Sequence, residues 1–314
     1  MELIPILIFL LTFTLIFTEV VSKTLIALIG ASLMVFYGVV RLEELSSIID
    51  FEILGIIFGI MIIVEIIKRI GLFQFLSIKV IKLANNDIKI LFISFLFLTT
   101  LISVFMSNIA SMLIVSALTF TLCRRLKIDP IPFLISEAIV TNIGGITLLI
   151  SSVPNILVGE AANLAFIDFI KISVPLAAIL FVITVFILLH IYNKKLEQDA
   201  KIKIETLDEW SVVPDKELFW KVTIVFILTL FLFLIADELN IRRSVISVSS
   251  AIILCLISGK DIDETLKTID WGLIFFLGGL FIVINGLEKS DILNTIATYL
   301  VNFCLLYTSP SPRD

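Results

Sequence analysis

The chain has 314 residues, of which 59% are apolar and 16% are charged, and its mean hydropathy is +1.15. Soluble domains are usually about 45–50% apolar and about 25% charged. The composition therefore excludes an ordinary soluble domain, a disordered chain and a coiled coil. The net charge of −5 provides no basic surface for nucleic acid, and the three widely separated cysteines match no disulfide or metal-binding pattern. The sequence predicts an all-α polytopic membrane protein in contact with the lipid bilayer.

Ten apolar segments are candidates for membrane-spanning helices, which need about 20 residues each. They are residues 3–18, 24–40, 52–67, 88–106, 109–123, 133–158, 169–192, 219–237, 244–258 and 271–287. Lys and Arg concentrate at 68–89, 124–127 and 193–221, and such stretches are typical of the cytoplasmic side. This distribution predicts a multi-pass protein of the cytoplasmic membrane with its amino terminus outside.

A polar interruption divides the apolar stretch 88–123. The sequence MSNIAS at 106–111 separates two apolar halves, and basic residues flank the stretch at both ends. Two helices that meet at such a break can form a hairpin that enters and leaves on one face of the membrane, or they can cross it in full. Non-helical backbone at membrane depth is tolerated only where protein buries it or a cavity hydrates it.

A second interruption lies in the segment 133–158. The sequence TNIGGITLLISSVPN at 141–155 places two glycines and a proline inside an otherwise apolar run. Glycine weakens a helix through its conformational freedom, and proline does so by lacking an N–H donor. We expect a broken helix, with unwound backbone around Asn142–Gly145 and a further break near Pro154–Asn155.

The stretch 42–65 resembles the stretch 262–285 at an offset of 220 residues without a gap. Identical residues include Glu44/Glu264, Asp50/Asp270 and Gly59/Gly279. In the predicted topology the two similar segments cross the membrane in opposite directions. Inverted repeats with broken helices are typical of secondary transporters, in which the substrate binds between the repeats.

The repeat and the polar stretches predict the organisation of the chain. Residues 1–40 form N-terminal transmembrane helices, residues 41–192 a first transport repeat and residues 193–218 a cytoplasmic linker. Residues 219–303 begin a second, incomplete repeat. The final stretch, 304–314, reads CLLYTSPSPRD and resembles a translated sequencing adapter, so we expect the natural protein to continue beyond Phe303.

These motifs give the chain a resemblance to the ion transporter superfamily, which includes arsenite permeases, NhaD-type sodium/proton antiporters, citrate transporters and divalent-anion symporters. The resemblance runs from about Arg41 to Phe303 and rests mainly on SNIAS at 107–111, TNIGG at 141–145 and SVPNILVG at 152–159. It implies a re-entrant hairpin, alternating access and a homodimer. It also implies a second hairpin and a second broken helix beyond this chain, so the truncated chain is not expected to transport.

The predicted site combines the tip of the hairpin with the broken helix. The candidate residues are Ser107, Asn108, Ser111, Glu137, Thr141, Asn142, Gly144, Gly145, Thr147, Pro154 and Asn155. Ser107, Asn108 and Asn142 offer oxygen ligands for sodium, while N–H groups at the start of the following helix favour an anion. Asn155 either contacts the substrate or caps the next helix.

Glu137 is the acidic candidate, because an intramembrane carboxylate is a functional hypothesis by default. It either binds sodium or carries a proton, or it lies at the membrane interface and pairs with Arg124 or Arg125. Glu65 is expected to pair with Lys68 and Arg69, three and four residues further along the chain.

The neutral hairpin tip favours secondary transport of a small anion, either an inorganic oxyanion or a carboxylate. The alternative is a sodium/proton antiporter or an arsenite efflux permease. Na⁺ or H⁺ is the expected coupling ion, and no other cofactor is predicted. A membrane-embedded enzyme requires a catalytic pair within the membrane, and the sequence suggests none.

Overall fold

The computed structural model describes residues 3–18, 20–83, 87–106, 108–162, 164–198, 208–236, 238–259 and 262–290. Within these ranges the chain forms fourteen α-helices and no strand, which confirms the predicted all-α class. The tail 304–314 lies outside the described residues.

The helices are α1 (Leu3–Thr18), α2 (Lys23–Phe36), α3 (Leu45–Ile48), α4 (Phe51–Arg69), α5 (Leu72–Leu83), α6 (Ile88–Ser103), α7 (Asn108–Leu126), α8 (Ile131–Gly145), α9 (Val153–Ala161), α10 (Phe166–Gln198), α11 (Lys216–Ile235), α12 (Arg243–Ser258), α13 (Ile262–Leu266) and α14 (Trp271–Glu288). Three short 3₁₀ turns lie at Leu42–Glu44, Leu149–Ser151 and Glu209–Val212.

By length and composition, three of the described helices can cross a membrane. They comprise Phe166–Leu196, Lys216–Ile235 and Trp271–Glu288. A fourth span results if the pair Leu42–Ile48 and Phe51–Arg69, bent by 60°, is one segment. Six shorter apolar helices lie at Leu3–Thr18, Lys23–Phe36, Ile88–Ser103, Asn108–Arg124, Ile131–Gly145 and Arg243–Ser258. These helices support a multi-pass membrane protein.

The described chain divides into two compact units. Its first unit comprises the described residues up to 54 together with residues 270–290 and is built on α2 and α14. A Cβ added at Gly279 would lie 2.9 Å from the carbonyl oxygen of Ala27, and one at Gly286 would lie 2.6 Å from the sulfur of Met34. Small residues at such positions allow α2 and α14 to approach closely. Close packing of this kind stabilises helix pairs in a membrane, where the hydrophobic effect does not drive them together.

The second unit, residues 55–269, contains most of α4 and the helices α5 to α13. Gly59 of α4 lies against the backbone of Ser247 on α12, and Ser247 Oγ donates a hydrogen bond to the carbonyl of Ile56 at 2.9 Å. At the end of α4, Glu65 Oε1 accepts a hydrogen bond from Arg69 Nε at 2.9 Å, as the sequence predicts. The candidate site lies wholly within this unit.

The two copies of the internal repeat share a local structure. A short helix precedes each copy of the Ile-Asp-aromatic motif, and an Asp caps the long helix that follows. Asp50 Oδ1 accepts a hydrogen bond from the backbone N–H of Ile53 at 3.0 Å, and Asp270 Oδ1 accepts one from Leu273 at 3.1 Å. The two copies are therefore similar in local backbone structure as well as in sequence. That they cross the membrane in opposite directions stays a prediction.

The segment assigned to the linker is more structured than the sequence suggests. Helix α10 continues through Gln198, and the described part resumes at Asp208. The Trp210 ring lies 4.9 Å from Phe75 of α5 and 5.7 Å from Phe219 of α11, centroid to centroid. The segment is therefore docked on α5 by aromatic packing, which its alternating charges do not indicate.

Candidate functional site

The hairpin predicted over 88–123 consists of α6 and α7. Helix α6 ends at Ser103, the N–H of Met106 bonds to the carbonyl of Ile102 at 3.2 Å, and α7 begins at Asn108. The predicted break therefore lies between the two helices. Ser107 lies outside the described residues, so its role and its sodium ligation stay predictions.

The broken helix is present, but its break lies further along the chain than expected. Helix α8 continues through Gly145, so the expected unwinding around Asn142–Gly145 is wrong. The non-α-helical stretch is 146–152, which includes the 3₁₀ turn. Pro154 lies in the first turn of α9 and begins this helix instead of breaking one, because a first-turn residue needs no N–H donor.

The two glycines serve close packing at the carboxyl end of α8. A Cβ at Gly144 would lie 2.4 Å from the carbonyl oxygen of Thr100 and 2.6 Å from Cβ of Ser103, both on α6. Ser103 Oγ lies 2.6 Å from the carbonyl oxygen of Thr141, to which it donates a hydrogen bond. The last turns of α6 and α8 are therefore in direct backbone contact.

Asn108 and Asn142 form an amide pair between the start of α7 and the end of α8. Asn108 Nδ2 donates a hydrogen bond to Asn142 Oδ1 at 3.0 Å, and Asn142 Nδ2 donates to the carbonyl of Ala138 at 3.2 Å. Ser103 Oγ lies 3.1 Å from Asn108 Oδ1, and a Cβ at Gly145 would lie 2.8 Å from the same oxygen. Each side-chain NH₂ carries two hydrogens, and the described contacts use one on each residue.

Asn155 fixes the geometry of the break. Its Nδ2 donates to the carbonyl oxygens of Gly145 and Leu148, both at 2.9 Å. Both amide hydrogens are thereby used on backbone carbonyls of the break: that of Gly145, at the end of α8, and that of Leu148, which also accepts from the N–H of Ser151 at 3.1 Å. Of the two alternatives for Asn155, this geometry supports a structural role at the break.

The unwound stretch is also held by neighbouring helices. Ser151 Oγ donates to the carbonyl of Val104 in the hairpin turn at 2.6 Å, and Ser173 Oγ of α10 lies 2.6 Å from the carbonyl oxygen of Thr147. Thr147 Oγ1 donates to Ile143 at 2.9 Å, and Thr141 Oγ1 donates to Ala138 at 2.8 Å, both within their own chain segment. The hydroxyls of these two candidates thus serve local backbone bonds.

Glu137 is fully buried in α8. Thr119 Oγ1 of α7, also fully buried, donates to Glu137 Oε1 at 2.5 Å, while Oε2 has no hydrogen-bond partner among the described residues. Arg124 is exposed, whereas Glu137 is fully buried and has Thr119 as its one described partner, so the interfacial alternative with this arginine is wrong. The side chain of Arg125 lies outside the described part.

The turn before α8 lies outside the spanning segments and anchors the helix start. Asp129 Oδ1 accepts a hydrogen bond from the N–H of Ile131 at 3.0 Å, and Oδ2 lies 3.1 Å from Lys195 Nζ of α10. The backbone hydrogen bond, aided by Lys195, lowers the pKa of Asp129 from its ordinary value. This anchor fixes the end of α8 opposite to the amide pair.

The structure thus brings six predicted residues together, namely Asn108, Thr141, Asn142, Gly144, Gly145 and Asn155. Ser103 and Thr119 were not among the candidates. Ser103 shows a sequence signal in retrospect, because a small hydroxyl residue precedes a polar interruption. Thr119 shows none, since its pairing with Glu137 depends on the register between two helices.

Comparison with known proteins places the chain among transporters. A profile of the citrate transporter family (CitMHS) matches residues 13–310. An uncharacterized transporter of Mycobacterium bovis is 29% identical over 302 residues, which cover 95% of this chain and 70% of that protein. A magnetosome protein of Magnetospirillum gryphiswaldense is 28% identical over 306 residues, or 93% and 69% of the two chains. The human P protein is 34% identical over 151 residues, or 46% and 18%. Because the family profile matches nearly the whole chain, the protein belongs to the citrate transporter family of membrane transport proteins.

Proposed function

We propose that the protein is a secondary active transporter of a small anion, with a carboxylate such as citrate as the first candidate. Transport is coupled to an ion gradient and proceeds by alternating access in the cytoplasmic membrane, with the amino terminus outside. The observation that supports this proposal is the amide pair Asn108–Asn142 at the junction of hairpin and broken helix. The family description, citrate transporter, favours a carboxylate over an inorganic oxyanion.

The chemistry of the amide pair suits an anion. Asn108 and Asn142 each have a second amide hydrogen beyond those used in the described contacts. Asn108 is also the first residue of α7, where helix N–H groups carry a partial positive charge that favours anions. The pair contains no ionised group, so binding an anion there requires no displacement of a fixed negative charge.

The side-chain oxygens of the same pair suit a coupling cation. Asn108 Oδ1 and Asn142 Oδ1 are neutral ligands of the kind that sodium accepts, and Ser107 would add a hydroxyl oxygen. If sodium is the coupling ion, it would share the junction with the anion, as helix breaks permit in secondary transporters; a coupling proton would need a separate carboxyl group. A homodimer remains an expectation from the family resemblance.

Uptake of radiolabelled citrate into proteoliposomes tests this proposal. The protein is expressed from its complete gene, and the vesicles contain a pH-sensitive dye. We expect uptake driven by an ion gradient in the wild type and loss of uptake in Asn108→Ala, because the variant lacks the amide. Asn193→Ala, near the end of α10, serves as the matched control and should transport normally.

Two results would contradict the proposal. Unchanged citrate uptake in Asn108→Ala would show that the amide pair is not the anion site. A dye response to added sodium, in the absence of any anion and without citrate uptake, would instead support the alternative of a sodium/proton antiporter.

A further inference from the structure

A second polar contact joins the same two helices as the amide pair. It is the hydrogen bond between Thr119 of α7 and Glu137 of α8, in which both side chains are fully buried. Glu137 precedes Asn142 by five residues, which is about 7.5 Å along a helix at about 1.5 Å per residue. The contact is thus separate from the anion site, and no role in binding the anion is assigned to it.

The surroundings of Glu137 do not stabilise a negative charge. Among the described helices, those packed most extensively against α8 are α6, α7 and α10. Their described titratable side chains are Lys89 on α6, Cys123 and Arg124 on α7, and Asp168, Lys171, His190, Tyr192, Lys194 and Lys195 on α10. The one described hydrogen-bond partner of Glu137 is the neutral Thr119, and its Oε2 has no hydrogen-bond partner among the described residues.

An ionised carboxylate in this position would therefore be buried with a single hydrogen bond and no counter-charge. Burying an unpaired charge is far more costly than burying an unpaired neutral polar group. The protonated carboxyl group fits these contacts at a lower free energy than the carboxylate does. Its Oε1 is then the carbonyl oxygen that accepts the hydrogen bond from Thr119, and its Oε2 carries the proton.

Two more buried hydroxyls mark this helix pair as unusual. Ser111 of α7 and Ser136 of α8 are fully buried, and their Oγ atoms have no hydrogen-bond partner among the described residues. Other buried hydroxyls of this chain, such as Thr12 and Thr99, bond to the carbonyl four residues earlier. Together with Oε2 of Glu137, α7 and α8 thus carry three polar atoms that a proton or an entering water can use.

We propose that Glu137 is the residue that binds and releases the coupling proton, and that Thr119 positions it. In the described conformation the carboxyl group is protonated and closed from water. When α7 and α8 separate, water reaches Oε2, accepts the proton and solvates the carboxylate that remains. An anion bound at Asn108 and Asn142 would also bridge α7 and α8. Anion binding and proton release at Glu137 would therefore depend on the same separation of these two helices. This inference rests on the proposed anion transport and names its coupling residue.

The first test compares two kinds of citrate flux in proteoliposomes that contain the complete gene product. In the wild type, an imposed pH gradient should drive citrate accumulation. In Glu137→Gln, accumulation should fall to the level without a gradient, while exchange of internal for external citrate continues. Glu217→Gln, an exposed acid at the start of α11, is the control and should retain both fluxes.

The second test separates positioning from folding. Thr119→Val keeps the volume of Thr119 but removes the donor to Oε1. It should move the midpoint of the pH dependence of uptake to higher pH and leave citrate exchange intact. Thr121→Val, an exposed position on α7, should behave as the wild type. Infrared difference spectra, recorded over a pH range in which exposed carboxyl groups stay ionised, should show the carbonyl band of a protonated acid in the wild type and not in Glu137→Gln.

These experiments distinguish an error in the assignment of Glu137 from an error in the proposed anion transport. Absence of citrate transport in the wild type would overturn the proposed function, and the infrared band would still decide the protonation of Glu137. Citrate uptake that follows a sodium gradient and ignores pH would overturn the proton assignment and leave the anion site standing. Accumulation driven by pH in Glu137→Gln, or an unchanged infrared band in that variant, would also overturn it.

Discussion

The contact between α6 and α8 at Gly144 predicts the effect of a single methyl group. In Gly144→Ala the added Cβ would lie 2.4 Å from the carbonyl oxygen of Thr100, whereas ordinary van der Waals contact begins at 3.4 Å. The helices must therefore separate by about 1 Å, and overpacking of this kind costs about 1–3 kcal/mol. Because alanine is the better helix former, part of this cost is offset by about 0.5–1 kcal/mol. We expect a net decrease in the free energy of unfolding of about 0.5–2 kcal/mol.

The matched control is Gly278→Ala in α14, where a Cβ would meet no atom of the described residues within 4 Å. The same substitution should stabilise the protein there by about 0.5–1 kcal/mol, since only the helix propensity changes. Denaturation of the purified protein in detergent, followed by tryptophan fluorescence, measures both variants under one set of conditions. If Gly144→Ala were as stable as Gly278→Ala, the backbone contact between α6 and α8 could not be as close as described.

Two further predictions concern the anchors of the site. In Asp129→Asn the cap on Ile131 is kept and the charge facing Lys195 is lost, so stability at neutral pH should fall by less than about 1 kcal/mol, as for exposed ion pairs. The pKa of Asp129 is lowered in the folded state, so the stability difference between wild type and Asp129→Asn should be complete at pH values above the ordinary pKa of 3.8. It should vanish as the pH falls through the folded-state pKa, where Asp129 takes up a proton. A stability difference that increased in acid would contradict this prediction. In Trp210→Ala the loss of ring contacts with Phe75 and Phe219 should lower stability by about 1–3 kcal/mol, at about 0.5–1.5 kcal/mol per aromatic pair, and unchanged thermal unfolding would show that the segment is not docked.

The position of the candidate site was largely predictable from the sequence. Asparagine, glycine and proline are unfavourable inside apolar helices, so their clusters at 106–111 and 141–155 stand out against the surrounding pattern. Both clusters lie where two helices meet or a helix ends. The residues of the amide pair, Asn108 and Asn142, are therefore identified without coordinates.

The exact extent of the break was not predictable in the same way. Gly144 and Gly145 weaken a helix in isolation, but a close neighbour can require glycine inside an intact helix. Here Thr100, Ser103 and Asn108 occupy the space that side chains would need. The pattern alone does not separate a glycine that ends a helix from one that admits a neighbour.

Contacts between segments that are distant along the chain could not be predicted from the sequence either. The pairing of Thr119 with Glu137 depends on the register of α7 against α8, which apolar periodicity leaves open. The docking of Trp210 on α5 depends on the path of the chain between α10 and α11. In both cases the residue type indicates that a partner is needed, and only the fold supplies its identity.

The central claim, that the amide pair binds the anion, is tested most directly by equilibrium binding of citrate to Asn142→Asp. The carboxylate keeps the acceptor for Asn108 Nδ2, loses the donor and adds a negative charge at the proposed site. We expect calorimetry on the purified complete gene product to show a decrease in citrate affinity of at least about tenfold, or about 1.4 kcal/mol. Citrate affinity equal to that of the wild type would contradict the assignment of the anion to this pair.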